Sequence, residues 1–191
     1  MENKIILASS SPRRIEIMRK HGYDPEVIPA HIDETLPEGI GMTDAVMFLA
    51  LKKALYVEQH AEPGSIIIAA DTVVYKDEIL GKPSDRNDAF RMISKIRNTD
   101  HFVTTGVAVI AAGRPVREAF YDVTRVFCKN YTDEDINAYL DTDEPYDKAG
   151  AYAIQGIFSR YIDRYEGSFD NVVGFPWELI EKKLSEVQSR L

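Results

Sequence analysis

The apolar run IIIAA at residues 66–70 constrains the fold of this 191-residue chain more than any other segment. Consecutive apolar residues without polar alternation are typical of a strand that is covered on both faces. Such a strand lies inside a sheet, so the chain must supply helices for both sides. Helical and strand-like patterns alternate along the sequence, together with long hairpins. We therefore predict a mixed α/β (α+β) fold, with residues 1–191 forming a single domain.

Two polar residues, Asp71 and Thr72, directly follow this run. We predict that the strand ends at Ala70, which puts Asp71 at the carboxyl end of a central strand, where α/β sheets bind ligands. The alternative is an Asx turn that opens a loop. We favour a functional role, because a buried strand delivers the side chain to a fixed point. The next residues, 73–80, predict a separate tight hairpin.

The N-terminal stretch IILASSSPRR, residues 5–14, predicts a strand, a short loop and a helix. Ser11 is a good helix cap, and Pro12 suits the first helical position because it has no N–H to lose. Arg13 and Arg14 then fall in the first turn, where a cation is unfavourable for the isolated helix. Because a helix N-terminus attracts anions, the two arginines indicate an anion site; a solvated surface turn is the alternative.

Further charged residues suit phosphate chemistry. Lys82 stands between a glycine and a proline, which makes it a rigidly placed cation or, in the simpler interpretation, a solvated turn lysine. Asp33 and Glu34 follow a short strand that is predicted between Pro25 and Pro29. Together with Asp71 they could hold Mg²⁺, which prefers carboxylates, waters and phosphate oxygens. The pair Lys52–Lys53 lies on a helix that is predicted to include residues 46–54, and such pairs usually face water.

The segment DKAGAYAIQG, residues 147–156, gathers small residues around two charges and one amide. Its glycines would let the backbone approach a ligand closely. Gln155 offers both a donor and an acceptor, as reading the edge of a nucleobase requires; a glutamine that braces the backbone is the alternative. Residues 157–165 predict a strand.

Composition and missing motifs exclude several classes of function. The formal net charge of −8 argues against a nucleic-acid partner and against binding to anionic membranes. The single cysteine, Cys128, excludes an internal disulfide and lies in a strand-like run, so we predict a core residue. No apolar run is long enough to span a membrane and no signal peptide is evident, which predicts the cytoplasm. The patterns GxSxG, HExxH and paired CxxC do not occur, so a serine hydrolase and a zinc enzyme are disfavoured.

These carboxylates, cations, turn glycines and one amide suit metal-assisted attack of water on a polyphosphate. In their order along the chain, five blocks resemble the Maf family of nucleoside triphosphate pyrophosphatases: LASSSPRR (7–14), ADT (70–72), GKP (81–83), DKAGAYAIQG (147–156) and VGFP (173–176). The resemblance implies a fold like that of inosine triphosphate pyrophosphatase, with an elongated mixed sheet and a central cleft between two lobes. It also implies a cytoplasmic enzyme that uses a divalent cation, Mg²⁺ or Mn²⁺, to hydrolyse a nucleoside triphosphate to the monophosphate and pyrophosphate.

The resemblance also implies roles for single residues. Asp71 would accept a proton from the attacking water, and Glu34 would join it as a candidate metal ligand. Lys53 is preferred to Lys52 because of its place in the family's Lys-Ala block. The phosphates would be held by cations and by one serine, namely Ser9, Arg13, Arg14, Lys53 and Lys82.

Three positions decide the branch of the family. Arg13, Thr72 and Gln155 match the branch that acts on dTTP and UTP, whereas the branch that prefers 7-methyl-GTP carries tryptophan, glutamine and glutamate there. Two alternatives stay open: a non-catalytic nucleotide-binding regulator of cell division, and a pyrophosphatase with another base preference. The sequence leaves the oligomeric state open, with a homodimer as one option.

Overall fold

The computed structural model describes residues 3–191. The strands are β1 (Ile5–Leu7), β2 (Glu26–Val27), β3 (Ile66–Lys76), β4 (Glu78–Leu80), β5 (Asp100–Ala111), β6 (Arg117–Cys128) and β7 (Ile162–Glu166). The helices are α1 (Pro12–Lys20), α2 (Met42–Glu58), α3 (Arg86–Ile96), α4 (Asp133–Leu140), α5 (Phe169–Val173) and α6 (Trp177–Gln188). Short 3₁₀ turns cover Glu144–Asp147, Ala149–Ala151 and Ile157–Tyr161. None of the helices within residues 3–191 combines the length and apolar character that crossing a bilayer requires.

The strands form one mixed sheet in the order β2-β1-β3-β5-β6-β7, with β4 paired to β3. β1 is parallel to both of its neighbours, with Leu7 opposite Val27 on β2 and Ile68 on β3. β4 pairs antiparallel with β3, and β7 pairs antiparallel with β6. Parallel and antiparallel pairs in one sheet, with helices along the chain between them, confirm the predicted mixed α/β class.

The central strand β3 is covered on both faces, as its apolar run predicts. Ile66, Ile68 and Ala70 belong to one core cluster, in which α1 contributes Met18 and α6 contributes four residues that include Trp177. Ile67 and Ala69 belong to a second cluster, which α2 closes with Ala50, Ala54 and Val57. Successive side chains of a strand point to opposite faces, so this continuous run serves both clusters.

The predicted end of this strand at Ala70 is wrong. β3 continues without a break to Lys76, so Asp71 lies within the strand, and the predicted separate hairpin is its continuation into β4. The turn between them falls at Asp77, which adopts a φ of 61°. β1, by contrast, ends at Leu7 opposite Ile68. The chain that follows β1 therefore leaves the sheet a few residues before Asp71 is reached on β3.

The chain divides into two compact units. The first unit comprises the chain up to Asp71, Thr105–Asp122 and Gly174–Leu191, and it contains the two core clusters around the first part of β3. The second unit comprises Thr72–Thr104 and Val123–Val173. Its core joins α3 and α4 to an aromatic group of five residues, Tyr131, Tyr139, Tyr152, Phe158 and Tyr161. The predicted single domain and central cleft stay predictions.

Two other predictions about the second unit have different outcomes. Cys128 is a buried free cysteine in the core, as expected, and burial raises the pKa of its thiol to about 12. The predicted strand at residues 157–165 is wrong in its first half, because a 3₁₀ turn occupies Ile157–Tyr161 and β7 begins only at Ile162. The carboxylate of Glu144 accepts hydrogen bonds from the amides of Ile157 and Phe158, and this contact holds the turn.

Candidate active site

Helix α1 begins as predicted, but its cap differs. Ser11 is the N-cap residue with extended backbone, and Pro12 occupies the first helical position. Within the described chain the Ser11 hydroxyl makes no capping hydrogen bond, so the predicted side-chain cap is wrong. The first-turn N–H groups therefore keep their capacity to bind an acceptor from outside the helix. Arg13 and Arg14 are both half-buried in this turn.

Arg14 connects three separate parts of the first unit. Its Nε donates to the carbonyl of Gly174 at 2.9 Å, and its Nη1 donates to the carbonyl of Ala70 at 2.8 Å and to Oγ of Ser9 at 3.1 Å. Burial lowers the pKa of Arg14 to about 10, and the charge of Asp71 opposes this shift. The guanidinium is therefore protonated at neutral pH and fixes the helix start beside the residue that precedes Asp71.

Ser9 lies in the loop between β1 and α1 and is buried. Its Oγ accepts hydrogen bonds from Arg14 and from the amide of Ser11, the latter at 3.2 Å. These two bonds use both lone pairs of the hydroxyl, which leaves its proton to donate. An anion beside the loop would be a suitable acceptor.

Asp71 is paired with Lys53, whose ammonium also contacts Glu34. Lys53 Nζ lies 2.6 Å from Asp71 Oδ1 and 2.8 Å from Glu34 Oε1. The side chains of Asp71 and Lys53 are 12% and 13% exposed, whereas that of Glu34 is 57% exposed. A largely buried carboxylate and its cation thus meet a third charged group that reaches water.

Both partners of this pair are placed by regular structure. Asp71 shares a face of β3 with Ile67 and Ala69, which pack against α2. On α2, Lys53 lies one turn from the buried Ala50 and next to the buried Ala54. The helix contains strong helix formers such as alanine, leucine, methionine and lysine, and no glycine or proline. The geometry of the pair therefore depends on how α2 packs on the sheet.

The neighbouring residues Lys52 and Asp33 are engaged elsewhere. Lys52 donates to the backbone carbonyl of Asp33, and its ammonium lies 5.8 Å from the centre of the Phe48 ring. Asp33 Oδ1 accepts hydrogen bonds from the hydroxyl and the amide of Thr35, which lower the pKa of Asp33. The structure thus brings Lys53 and Glu34, rather than Lys52 and Asp33, to Asp71.

The donor set around Asp71 fits a hard divalent cation in part. Within residues 3–191, no three His, Cys, Asp or Glu side chains form a group that could hold a metal by themselves. Asp71 and Glu34 supply two carboxylates, which Lys53 bridges. Mg²⁺ is commonly bound by one or two carboxylates together with waters and substrate phosphates. The residues present therefore fit a metal that arrives with a phosphate ligand.

The remaining predicted site residues belong to the second unit. Thr72 is half-buried on β3, and Lys82 and Gln155 are exposed. Within this unit the turn that carries Lys82 contacts the segment that carries Gln155, because the amide of Gly150 donates to the carbonyl of Gly81 at 3.0 Å.

The glycines of the segment 147–156 pack against protein atoms. A Cβ on Gly150 would lie 2.7 Å from the side chain of Val74, and one on Gly156 would lie 2.0 Å from the carboxylate of Glu144. Gly150 also adopts a φ of 68°, which favours glycine. These contacts explain both glycines without a ligand.

Neither Glu144 nor the carbonyl of Gly174 is predicted as part of a site, because no local pattern reveals contacts that form over a long distance in sequence.

The fold and the site together define a mixed α/β protein whose buried aspartate–lysine pair adjoins a helix start equipped to bind an anion. A family model described as Maf-like protein matches residues 4–187, and the chain belongs to the Maf family. It is 45% identical over 177 residues to the dTTP/UTP pyrophosphatase of Caldicellulosiruptor bescii, covering 91% of this chain and 89% of that protein. It is 44% identical over 174 residues to the dTTP/UTP pyrophosphatase of Caldanaerobacter subterraneus subsp. tengcongensis, covering 91% and 84%.

A solved structure supports the fold independently. The HAM1 protein of Coxiella burnetii aligns over 100% of both chains with a TM-score of 0.56 and 12% sequence identity. At this identity the likeness concerns the fold alone. It confirms the predicted fold, which this chain shares with that HAM1 protein.

Proposed function

We propose that this protein hydrolyses nucleoside triphosphates to the monophosphate and pyrophosphate, with dTTP and UTP as preferred substrates, and so removes unwanted nucleotides from the pool. The observation that carries the proposal is the placement of Arg14, which fixes the start of α1 against the carbonyl of Ala70, one residue before Asp71. An anion-binding helix start and a largely buried carboxylate thus adjoin each other in one unit. The names of the Maf relatives supply the reaction and the bases.

In this proposal Asp71 is the general base. The oxygen of a water molecule attacks the α-phosphorus, the bond from that phosphorus to the bridging oxygen of the β-phosphate breaks, and pyrophosphate leaves with the bonding electrons. Asp71 takes the proton that the water loses. The contact with Lys53 at 2.6 Å orients the carboxylate and keeps its charge balanced until substrate binds.

In this proposal both neutral and charged donors hold the phosphates. The hydroxyl of Ser9 and the first-turn amides of α1 supply neutral donors, and Arg13, Arg14, Lys53 and Lys82 supply positive charge. Cations and fixed dipoles of this kind stabilise charge that develops on a transferring phosphoryl group. Arg14 acts partly through position, since its hydrogen bonds hold Ser9 and the strand in place.

The proposed cofactor is Mg²⁺ or Mn²⁺, held by Asp71 and Glu34 together with phosphate oxygens. When bound, such an ion neutralises phosphate charge and polarises the reacting phosphoryl group. Glu34 suits this role, because its side chain is more exposed than that of Asp71 and contacts the same Lys53 ammonium.

Selection of the base is assigned to Arg13, Thr72 and Gln155, as the family branch implies. The amide of Gln155 pairs with an imide N–H and a carbonyl, which uracil and thymine present side by side. A preference for 7-methyl-GTP is disfavoured because the relatives named above are dTTP/UTP pyrophosphatases. A non-catalytic regulator is likewise disfavoured by these relatives.

We further propose that residues 1–191 act as one pyrophosphatase domain, because the family match includes residues of both units. The cytoplasm is the proposed location, since a lone buried cysteine suits a reducing compartment. A homodimer stays a prediction, which sedimentation of the purified protein tests.

The test of the function is a panel of purified nucleotides. The protein is incubated with UTP, dTTP, CTP, ATP and 7-methyl-GTP in the presence of Mg²⁺ or Mn²⁺, and the products are separated by chromatography. We expect pyrophosphate and the monophosphate, with the highest kcat/KM for UTP and dTTP. Release of orthophosphate and a diphosphate would contradict the proposed bond cleavage, and equal kcat/KM for UTP and 7-methyl-GTP would contradict the base preference.

A further inference from the structure

The carboxylate of Glu144 lies against the backbone that follows Gln155. Its Oε2 accepts the amide N–H of Ile157 at 2.7 Å, and its Oε1 accepts the amide N–H of Phe158 at 3.2 Å. Carboxylates that accept backbone N–H groups make stronger hydrogen bonds than neutral acceptors do. This side chain therefore fixes the backbone two and three residues beyond Gln155. Glu144 itself lies outside the segment 147–156, in which the sequence predicts site residues.

Gly156 has no Cβ and so leaves room for this carboxylate. A Cβ at this position would lie 2.0 Å from Oε2 and 2.5 Å from Oε1 of Glu144. The φ of Gly156 is −99°, which any residue adopts, so backbone conformation does not require glycine here. The glycine after Gln155 is therefore explained by the space that the Glu144 carboxylate occupies.

A second contact fixes the backbone before Gln155. The hydroxyl of Tyr139 lies 3.1 Å from Glu144 Oε1 and 3.0 Å from the carbonyl of Ala151, and donates its one proton to this pair of acceptors. Burial, followed by the charge of Glu144, raises the pKa of Tyr139, so the hydroxyl stays protonated. Ala151 has a φ of 61°, which is unfavourable for a residue with a Cβ and persists where neighbouring contacts hold it.

Gln155 lies between these two fixed points. Its own side chain is exposed and makes no hydrogen bond within residues 3–191, so its amide is available to a ligand. The turn that carries it is closed by the amide of Gly156, which donates to the carbonyl of Ala153 at 3.3 Å. Whatever orients this turn also orients the Gln155 amide.

We propose that Glu144 is a positioning residue for base selection: it holds the turn of Gln155 in the orientation in which the amide reads the base. The proposal rests on the proposed function, in which Gln155 pairs with uracil or thymine. Glu144 does not touch the nucleotide in this account. It acts through the amides of Ile157 and Phe158, with Tyr139 connecting its carboxylate to the other side of the turn.

The test compares the ratio of kcat/KM for UTP to that for CTP, because these nucleotides differ only at the edge of the base. In Glu144→Gln, an NH₂ group replaces one carboxylate oxygen. A hydrogen-bond donor then faces a backbone N–H, which is also a donor, and that hydrogen bond is lost. We expect the ratio to fall roughly ten-fold, the value of about one well-placed hydrogen bond. The matched control is Glu134→Gln, an exposed glutamate in the first turn of α4, which should leave the ratio unchanged.

Two further arms separate positioning from a general structural effect. In a Gln155→Ala background, Glu144→Gln should lower the ratio no further, since the group that it positions is gone. Tyr139→Phe removes the connecting hydroxyl with little change of shape, and it should lower the ratio in the same direction even if Glu144→Gln folds poorly. Hydrogen exchange of the amides of Ile157 and Phe158 should become faster in Glu144→Gln and stay unchanged in Glu134→Gln.

The outcomes distinguish the two proposals. A parent protein without a preference for UTP overturns the proposed base selection and, with it, the role of Glu144. A parent with that preference, combined with an unchanged ratio in both Glu144→Gln and Tyr139→Phe, overturns the role of Glu144 alone. A ratio that falls by the same factor with and without Gln155 also overturns it, because the effect would then not pass through Gln155.

Discussion

A methyl group added at Gly106 would collide with the backbone of helix α2, so Gly106→Ala tests how the packing of α2 on the sheet positions the site. This glycine is buried on β5, and a Cβ added to it would lie 2.3 Å from the carbonyl carbon, 2.5 Å from the carbonyl oxygen of Val46 and 2.6 Å from the amide nitrogen of Met47. Optimal carbon–carbon contacts are about 3.5–4.0 Å. Helix α2 must therefore move by more than about 1 Å to admit one methyl group.

The expected loss of stability follows from the kind of atoms involved. Overpacking in a core costs about 1–3 kcal/mol when side chains and backbone adjust. The atoms that clash with a Cβ on Gly106 are all backbone atoms of a helix, which cannot rotate away, so we expect a loss near the upper end, about 3 kcal/mol. Gly81→Ala is the stability control, because a Cβ there meets no atom within 4 Å.

Activity should fall together with stability. Lys53 lies on α2, seven residues or about 10 Å beyond Val46, so a shift of the helix moves its ammonium relative to Asp71. A misplacement of about 1 Å in a reactive arrangement costs on the order of 10²-fold in rate. Urea unfolding measures the first effect and pyrophosphate release from dTTP the second. Stability within about 0.5 kcal/mol of the parent, with unchanged kcat/KM, would refute the argument that this contact positions the Asp71–Lys53 pair.

Three other predictions rest on single groups. Asp71→Asn should keep its circular dichroism spectrum and lose about 10²–10⁴-fold in kcat, the usual contribution of a general base; turnover within a few-fold of the parent would exclude this role. Because burial raises the pKa of Cys128 to about 12, the native protein at pH 8 should resist a thiol reagent that labels it rapidly in urea. Burial lowers the pKa of His101 to about 3 from about 6.5 in the unfolded chain, so the unfolded state binds more protons and stability falls as the pH is lowered between these values. Between pH 7 and pH 5 this group should remove roughly 2 kcal/mol of unfolding free energy, a slope that His101→Gln should lack.

The sequence predicts the centre of the sheet well, because a strand that is covered on both faces consists of consecutive apolar residues. The same rule misplaces the end of β3, since the run of apolar residues stops at Ala70 while the backbone pairing continues to Lys76. Strand pairing is made by backbone groups, so Asp71 and Thr72 occupy the strand without an apolar side chain. An apolar pattern therefore reports which residues are buried and only indirectly how far a strand extends.

For the site, too, the sequence predicts one aspect and misses another: it predicts the residue types but not their contacts. The residue types around Asp71 are those that phosphate chemistry requires, and the family motifs indicate which positions carry them. No local pattern shows that one ammonium, that of Lys53, lies between the carboxylates of Asp71 and Glu34, because these residues belong to three separate segments. The strand predicted at residues 157–165 fails for the same reason: the turn at Ile157 depends on a carboxylate 13 residues earlier.

The sequence does not distinguish the adjacent residues Arg13 and Arg14, but in the structure their side chains have different contacts. The side chain of Arg14 donates to Gly174, Ala70 and Ser9, whereas the side chain of Arg13 makes no hydrogen bond or ion pair within residues 3–191 and is left to bind an anion. Replacing each by lysine keeps the charge and changes the geometry of its donors. The donors of Arg14 lie on two nitrogens and a lysine has one, so Arg14→Lys leaves at least one of the three acceptors without a donor. It should lower the unfolding free energy by about 1 kcal/mol, since an unsatisfied group costs about 1–3 kcal/mol when fully buried and these are partly buried. Arg13→Lys should stay within about 0.5 kcal/mol of the parent in the same urea titration and raise KM for dTTP. Equal losses of stability in the two variants would contradict the inference that Arg14 stabilises the fold while Arg13 binds the anion.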